Sequence, residues 1–241
     1  MSLSFVDYLE QRLAEDPPKK KGLRTRERLK IAAARRLGEG GYHALRVSDV
    51  SATAGLAEGS FYLYFKDKAD ITLVVLTQML EESFALDGAA AAEVTPYGAI
   101  RASNRHWMAL CRANAGLMRC VFQLGDEIVE FTRLPQRVNR IWYERVARSV
   151  VRRRESEGVQ LDTAMLAVYM LGAMMDEMVR KLVIYPDPDF LELVQRLELS
   201  DDDLADAASV LWLRTLYPQA EAQEPSGSMA ALIAAFTAPP G

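Results

Sequence analysis

The chain of 241 residues has only two cysteines and two histidines. Cys111 and Cys120 stand in a region of helical periodicity, and two thiols are too few for a secreted disulfide scaffold. They read as free thiols of a reducing cytoplasm, with a redox-sensing pair as the alternative. There is no His/Glu metal spacing, no pair of cysteines two apart, no glycine-rich phosphate loop and no GxSxG. The usual marks of metal, nucleotide and serine-hydrolase chemistry are therefore missing. Long apolar runs are missing too. The longest, "AMLAVYMLGAMM" (164–175), stops at Asp176, short of the ~20 residues that span a bilayer. The N-terminus "MSLSFVDYLEQRLAED" has neither the basic start nor the apolar centre of a signal peptide. Alternating strand patterns hardly occur, whereas helical periodicity recurs throughout. The expectation is an all-α cytoplasmic protein with no cofactor, no metal and no membrane contact.

What is abundant is positive charge in one place. The formal net charge is −4, yet residues 17–46 hold Lys19, Lys20, Lys21, Arg24, Arg26, Arg28, Lys30, Arg35, Arg36 and Arg46 against only Glu27 and Glu39. A basic end on an acidic body suits a polyanionic partner; a solvated helix face is the plainer alternative.

The periodicity places a short amphipathic helix at 3–14, broken by "DPPKKKG" (16–22). A helix follows over about 24–39, with Leu29, Ala32, Ala33 and Leu37 inward and "GEGG" (38–41) as its stop. Shorter helices read over 47–54 and 58–65, and a longer one from "KDKAD" to about residue 86. Beyond "DGAAAAEVTPYGA" (87–99) come helices of about 97–112, 114–124, 137–157, 161–184 and 201–216. "FTRLPQR" (131–137) interrupts them, "YPDPD" (185–189) ends the fourth, and acids at Asp201–Asp203 open the last. The expected organisation is an extension or arm (1–22), a DNA-binding domain (23–70), a helical ligand-binding and dimerisation domain (71–220) and a tail (221–241) with one small helix in "MAALIAAF".

The stretch 55–71, "GLAEGSFYLYFKDKADI", crowds four rings into five positions and follows the basic segment directly. Two short helices joined by a turn at Gly55 form a helix-turn-helix pattern. Gly55 suits a left-handed turn, where a Cβ would be strained. Phe61 and Phe65, four apart, share an inward face. Gly59 and Ser60 are small enough to let the backbone approach base edges. Tyr62 and Tyr64 can donate to phosphates, and Lys66 and Lys68 open the next helix, whose amides also favour anions.

These residues resemble the TetR family of bacterial transcriptional regulators. The resemblance runs through Leu29, Ala32, Ala33, Leu37, "GY" (41–42) and "VSDVSATAGLAEGSFYLYFKDK" (47–68), and covers about residues 24–70. It implies that Tyr62 and Tyr64 contact DNA, that Lys66 or Lys68 holds a phosphate, that Gly59 and Ser60 enter the major groove and that Gly55 makes the turn. Arg46 stands where the family often has a capping Ser or Thr that also touches phosphate, so Ser48 becomes the candidate cap; both are expected DNA contacts, Arg46 by reaching a phosphate itself. Ala57 replaces a frequent capping Ser, and Arg36 takes a usually apolar slot. Glu58 replaces a basic or polar residue; it repels phosphate but can accept from cytosine N4, or it simply serves the helix dipole. Lys19, Lys20 and Lys21, with Arg24 and Arg26, resemble a DNA-contacting arm, with a solubilising linker as the alternative.

The resemblance further implies a homodimer on a double-stranded, palindromic operator, a small-molecule effector and repression as the output. Dimer contacts are expected at Met170, Ala173 and Glu177 of the apolar helix 165–182 and at Leu204, Ala208, Leu211 and Trp212 of the last long helix. Ligand contacts are expected from Trp107, Met108, Cys111, Met118, Phe122, Trp142, Met165, Tyr169 and Met174, although such residues also build plain cores. Residues 133–154 carry eight arginines that read as a solvated face, or as a site for an anionic ligand or membrane. The competing reading of the whole chain is a helical interaction protein or enzyme with no DNA role.

Overall fold

A computed structural model describes residues 3–85, 95–125, 129–220 and 228–238. Among them there are eleven α-helices and no strand. The helices are α1 (Phe5–Glu15), α2 (Lys21–Ala44), α3 (Val47–Thr53), α4 (Lys68–Ala85), α5 (Pro96–Ala113), α6 (Ala115–Gly125), α7 (Val129–Arg153), α8 (Leu161–Val179), α9 (Pro188–Arg196), α10 (Asp201–Leu216) and α11 (Ser228–Phe236). A 3-10 helix, Glu58–Leu63, lies between α3 and α4, and a π turn, Arg180–Ile184, prolongs α8. No described helix is long and apolar enough to cross a membrane.

Contacts group the chain into two compact units, residues 1–83 with 110–137 and residues 84–109 with 138–241. In the first, α2 turns Leu29, Ala32, Ala33 and Leu37 inward as its periodicity requires. The glycine stop falls later than expected: Gly38 and Gly40 stay helical, and the chain breaks at Gly41, whose φ is +74°. Gly38 serves a different purpose, because α6 crosses there. A Cβ built on Gly116 would lie 2.0 Å from the Gly38 carbonyl oxygen. The same crossing seats Cys120, whose Sγ donates to Leu37 O at 3.7 Å. Burial raises the Cys120 pKa, and Cys111 is also a buried free thiol. Buried thiols of this kind are held protonated and poorly reactive, contrary to what a redox sensor needs.

α1 is fastened to this unit by Phe5 and Leu9, both buried, and by polar ties. The Phe5 amide donates to Asn114 Oδ1 at 2.8 Å, and Arg12 pairs with Glu82 of α4 at 2.8 Å.

The second unit centres on Tyr143, Ala147, Val150, Val168, Met175 and Trp212. A Cβ on Gly172 would lie 2.3 Å from the Tyr143 hydroxyl, so the bare backbone there makes room for that ring. Asp206 of α10 is buried between Arg101 and Arg105 of α5, with Nε–Oδ1 distances of 2.8 and 2.6 Å. α11 covers a further side of α10 through Ala230, beside Val210 and Leu213.

Three expectations change. The interruption at 131–137 is absent: α7 runs through Pro135, with Phe131 and Val138 buried on either side. Proline removes one backbone hydrogen bond, and burial of its neighbours outweighs that loss. The segment 188–196 is a helix that the reading of "YPDPD" as a mere stop overlooks. Asp187 caps it by accepting from the Asp189 and Phe190 amides, with Pro188 in its first turn. Neither Arg46 nor Ser48 caps α3 with a side chain: the helix starts at Val47, and Arg46 occupies the cap position without a side-chain bond.

Candidate nucleic-acid interface

The chain leaves α3 at Ala54, and Gly55 takes φ +66°. The guanidinium of Arg28 on α2 donates to the Ala54 carbonyl and so holds the turn. Arg28 is therefore a structural cation, and a Cβ at Gly55 would meet it at 3.1 Å.

The next element is a six-residue 3-10 helix rather than the expected α-helix over 58–65. It has no side-chain cap, as Ala57 in place of a serine dictates. Runs of this kind have poor hydrogen-bond geometry, so packing must hold them. Phe61 and Phe65 are both buried, with ring centroids 5.7 Å apart. The Arg26 guanidinium lies 5.0 Å from the Phe65 ring centroid. With the phenylalanines inward, the opposite face is bare. Tyr62 is 56% exposed and Leu63 is 78% exposed. Glu58 and Gly59 are exposed, Ser60 is half-buried, and a Cβ at Gly59 would meet nothing within 4 Å. Tyr64 is half-buried, its hydroxyl 3.5 Å from where a Cβ on Gly22 would stand. Leu63 is absent from the residues expected at this surface. Its place two residues from each inward phenylalanine was the available signal.

The two lysines of the next helix part company. Lys66 is exposed. Lys68 is held: its Nζ donates to Tyr42 O at 3.3 Å and sits 4.5 Å from the Tyr42 ring centroid. At the start of α4, acids already take two amides. Asp67 accepts from Asp70 N at 2.9 Å, and Asp70 accepts from Lys66 N at 2.8 Å.

The basic segment is also less uniform than its charge. Lys30 is buried, with Nζ 2.7 Å from Glu27 and 2.6 Å from Gln78, and burial lowers its pKa. Arg35 pairs with Glu10, and Arg36 with Glu39 and Asp49, which accommodates a charge in an apolar slot. Lys19, Lys20, Lys21, Arg24 and Arg46 remain exposed. Arg24 donates to the Pro18 and Lys19 carbonyls, both at 3.0 Å, and so shapes the arm.

The expected ligand contacts fall in both units. Cys111, Met118 and Phe122 belong to the first unit, and Trp107, Met108, Trp142, Met165, Tyr169 and Met174 to the second. Cys111, Met108 and Met118 are core residues, and Phe122 and Tyr169 are exposed. Of the expected dimer residues, Met170, Ala173 and Glu177 are exposed along α8. Leu204, Ala208 and Trp212 are instead buried within their own chain, leaving half-buried Leu211 on α10. Among the described residues, no three of His, Cys, Asp and Glu converge as metal ligands.

Residues 31–75 match the model of the bacterial regulatory proteins of the tetR family. Over 49 residues the chain is 41% identical to the fatty acid metabolism regulator protein of Bacillus subtilis, which is 20% of this chain and 25% of that protein. The match thus spans a quarter of the curated relative. In overall fold the chain is similar to the fatty acid degradation regulator FadR of Bacillus halodurans, with TM-score 0.60, 20% identity, and 81% of this chain against 97% of that one. It is similarly close to the Bacillus subtilis regulator FadR in complex with stearoyl-CoA, with TM-score 0.59, 19% identity, and coverage of 76% and 95%. With the plugged turn at 55–65, residues 31–75 carry the segment of the tetR family of bacterial regulatory proteins, on an all-helical fold similar to that of the solved FadR structures.

Proposed function

We propose that this chain is a homodimeric, ligand-responsive transcriptional regulator, a repressor released from its operator by a small molecule. The observation that carries this reading is the bare face of Glu58–Leu63, which offers Gly59, Tyr62 and Leu63 to a groove while Phe61 is fully buried. Small residues and a methyl-contacting leucine suit base edges, and tyrosine hydroxyls suit phosphates. Lys66, Arg46 and the arm Lys19–Lys21 add phosphate contacts on the same unit.

One such element reads few base pairs, so two copies on a palindrome complete the site, one helical turn or ~34 Å apart. The stripe Leu166, Met170, Ala173 and Glu177 on α8 is exposed and apolar except at its end, and it supplies the dimer seam. Residues 23–70 form the DNA-binding domain and 71–220 the dimerisation and effector domain. The stearoyl-CoA complex of the Bacillus subtilis relative makes long-chain acyl-CoA the first effector to try.

Fluorescence anisotropy on DNA upstream of the protein's own gene, across a salt series, tests this reading. Selective binding that weakens steeply with salt is expected. Weak binding that is equal on any DNA, and unchanged after delipidation, contradicts it.

A further inference from the structure

Helix α9 is nine residues long, and none of them is buried. A helix of that length is marginal in water without tertiary packing. The Asp187 cap and Pro188 favour only its start. Yet Phe190, Leu193 and Val194, with Leu197 just beyond the end, share one face, opposite Asp189, Glu192, Gln195 and Arg196. Phe190 and Val194 are half-buried, while Leu193 is 38% and Leu197 45% exposed. Its own chain thus covers this apolar face only in part. The helix is anchored where another exposed face ends. Leu166, Met170, Ala173 and Glu177 follow one line along α8, and that line continues to Arg180 and Lys181. Arg180 pairs with Glu177 at 2.6 Å. Lys181 donates to Asp187, the α9 cap, at 2.7 Å, and the Asp187 amide donates to Lys181 O at 2.9 Å. Area then decides what must cover the two faces. A stable interface takes ~800 Å² and ~20–30 residues from each partner. The α8 stripe alone falls well short of that. α10 cannot make up the difference, because Leu204, Ala208 and Trp212 are buried and α11 lies against Val210 and Leu213.

We propose that α9 is the second dimer helix, its Leu193 and Leu197 edge packing on a second copy of this chain in continuation of the α8 stripe. Apolar side chains without a charged centre suit the core of such an interface. Asp189, Glu192 and Glu198 flank the edge, which disfavours DNA or an anionic lipid surface as its occupant. The inference rests on the homodimer reading above and puts α9 in the place expected of α10.

Sedimentation velocity of the full chain, without DNA, is the test. The unaltered chain should be dimeric at ~10 μM; a monomer even at ~100 μM would remove the homodimer reading and this inference with it. Leu193→Glu with Leu197→Glu, both at exposed positions, should raise the dimer dissociation constant by about hundredfold or more, with circular dichroism unchanged. A dimer unmoved by that double change would overturn the role of α9 and leave its edge to a different partner. If Met170→Glu on α8 still separated that dimer, the homodimer reading would stand. Should the added charges upset folding, Leu193→benzoylphenylalanine replaces them. Irradiation should then give a covalent dimer, and crosslinks within single chains alone would overturn the proposal.

Discussion

Gly116 of α6 lies against Gly38 of α2 so closely that a Cβ would stand 2.0 Å from the Gly38 carbonyl oxygen and 2.7 Å from its carbon. Both obstacles are backbone and cannot swing aside. Gly→Ala within a helix ordinarily stabilises by about 1 kcal/mol. Here the sign reverses, and Gly116→Ala should destabilise by about 2 kcal/mol or more in urea unfolding. Unchanged or raised stability would mean that the helices do not cross at these glycines.

Gly59 gives the opposite result. A Cβ there meets nothing. Gly59→Ala should leave unfolding unchanged and, on the proposed reading in which this face meets DNA, still lower operator affinity in anisotropy titrations. Tyr62→Phe should behave alike, losing about 1 kcal/mol of binding with the hydroxyl. Phe61→Ala, by contrast, should cost about 3–5 kcal/mol of stability.

The lysines separate by role. Lys66→Gln should lower the slope of log affinity against log salt by about 1, with stability unaffected. Lys68→Gln should reduce thermal stability, because it removes the tie to Tyr42. A salt slope that responds only to Lys68 would reverse the assignment.

Asp206 is held by two arginines in the interior of the second unit. Asp206→Ala should cost about 2 kcal/mol, since Arg101 loses its partner and Arg105 keeps only Asp202. Its hydrogen bond in turn raises the pKa of Arg105. Denaturation by urea is the measurement, and a loss under 1 kcal/mol would show the pair to be solvated.

Asp176 of α8 carries a second acid into the interior of this unit. Burial lifts its carboxyl to about 6, opposed by a hydrogen bond from Trp107. The folded state therefore holds its proton at pH values where the unfolded chain has lost it. Stability from this group is full below pH ~4 and declines as pH rises through ~6, by up to about 3 kcal/mol. Asp176→Asn should flatten stability over pH 4–6. A wild-type curve without that decline would place the carboxylate in water.

Much of this was legible in the sequence, for identifiable reasons. The helical periods of α2 and α4 survive because apolar burial alone decides them. The Phe61–Phe65 plug and the turn at Gly55 were readable because four-residue spacing and a left-handed glycine leave few alternatives. What escaped notice depends on distant partners. Arg28 and Lys68 count as phosphate-seeking charge until Ala54 and Tyr42 come within reach, and Lys30 until Gln78 does. Leu204, Ala208 and Trp212 look like a free seam until neighbouring elements bury them, and Gly38 looks like a helix stop until α6 crosses it. Pro135 looks like a break because one lost hydrogen bond is local and the burial that overrides it is not.

The 3-10 helix at Glu58–Leu63 divides its duties by face, and this bears on how the chain can evolve. Its order comes from Phe61 and Phe65 beneath and Arg28 at the turn, with Tyr62 set edge-on to the Phe61 ring. Changes at Glu58, Gly59 or Leu63 should leave the fold indifferent. A duplicated copy of this gene could therefore be re-aimed at a new stretch of genome one exposed side chain at a time, without passing through an unfolded intermediate.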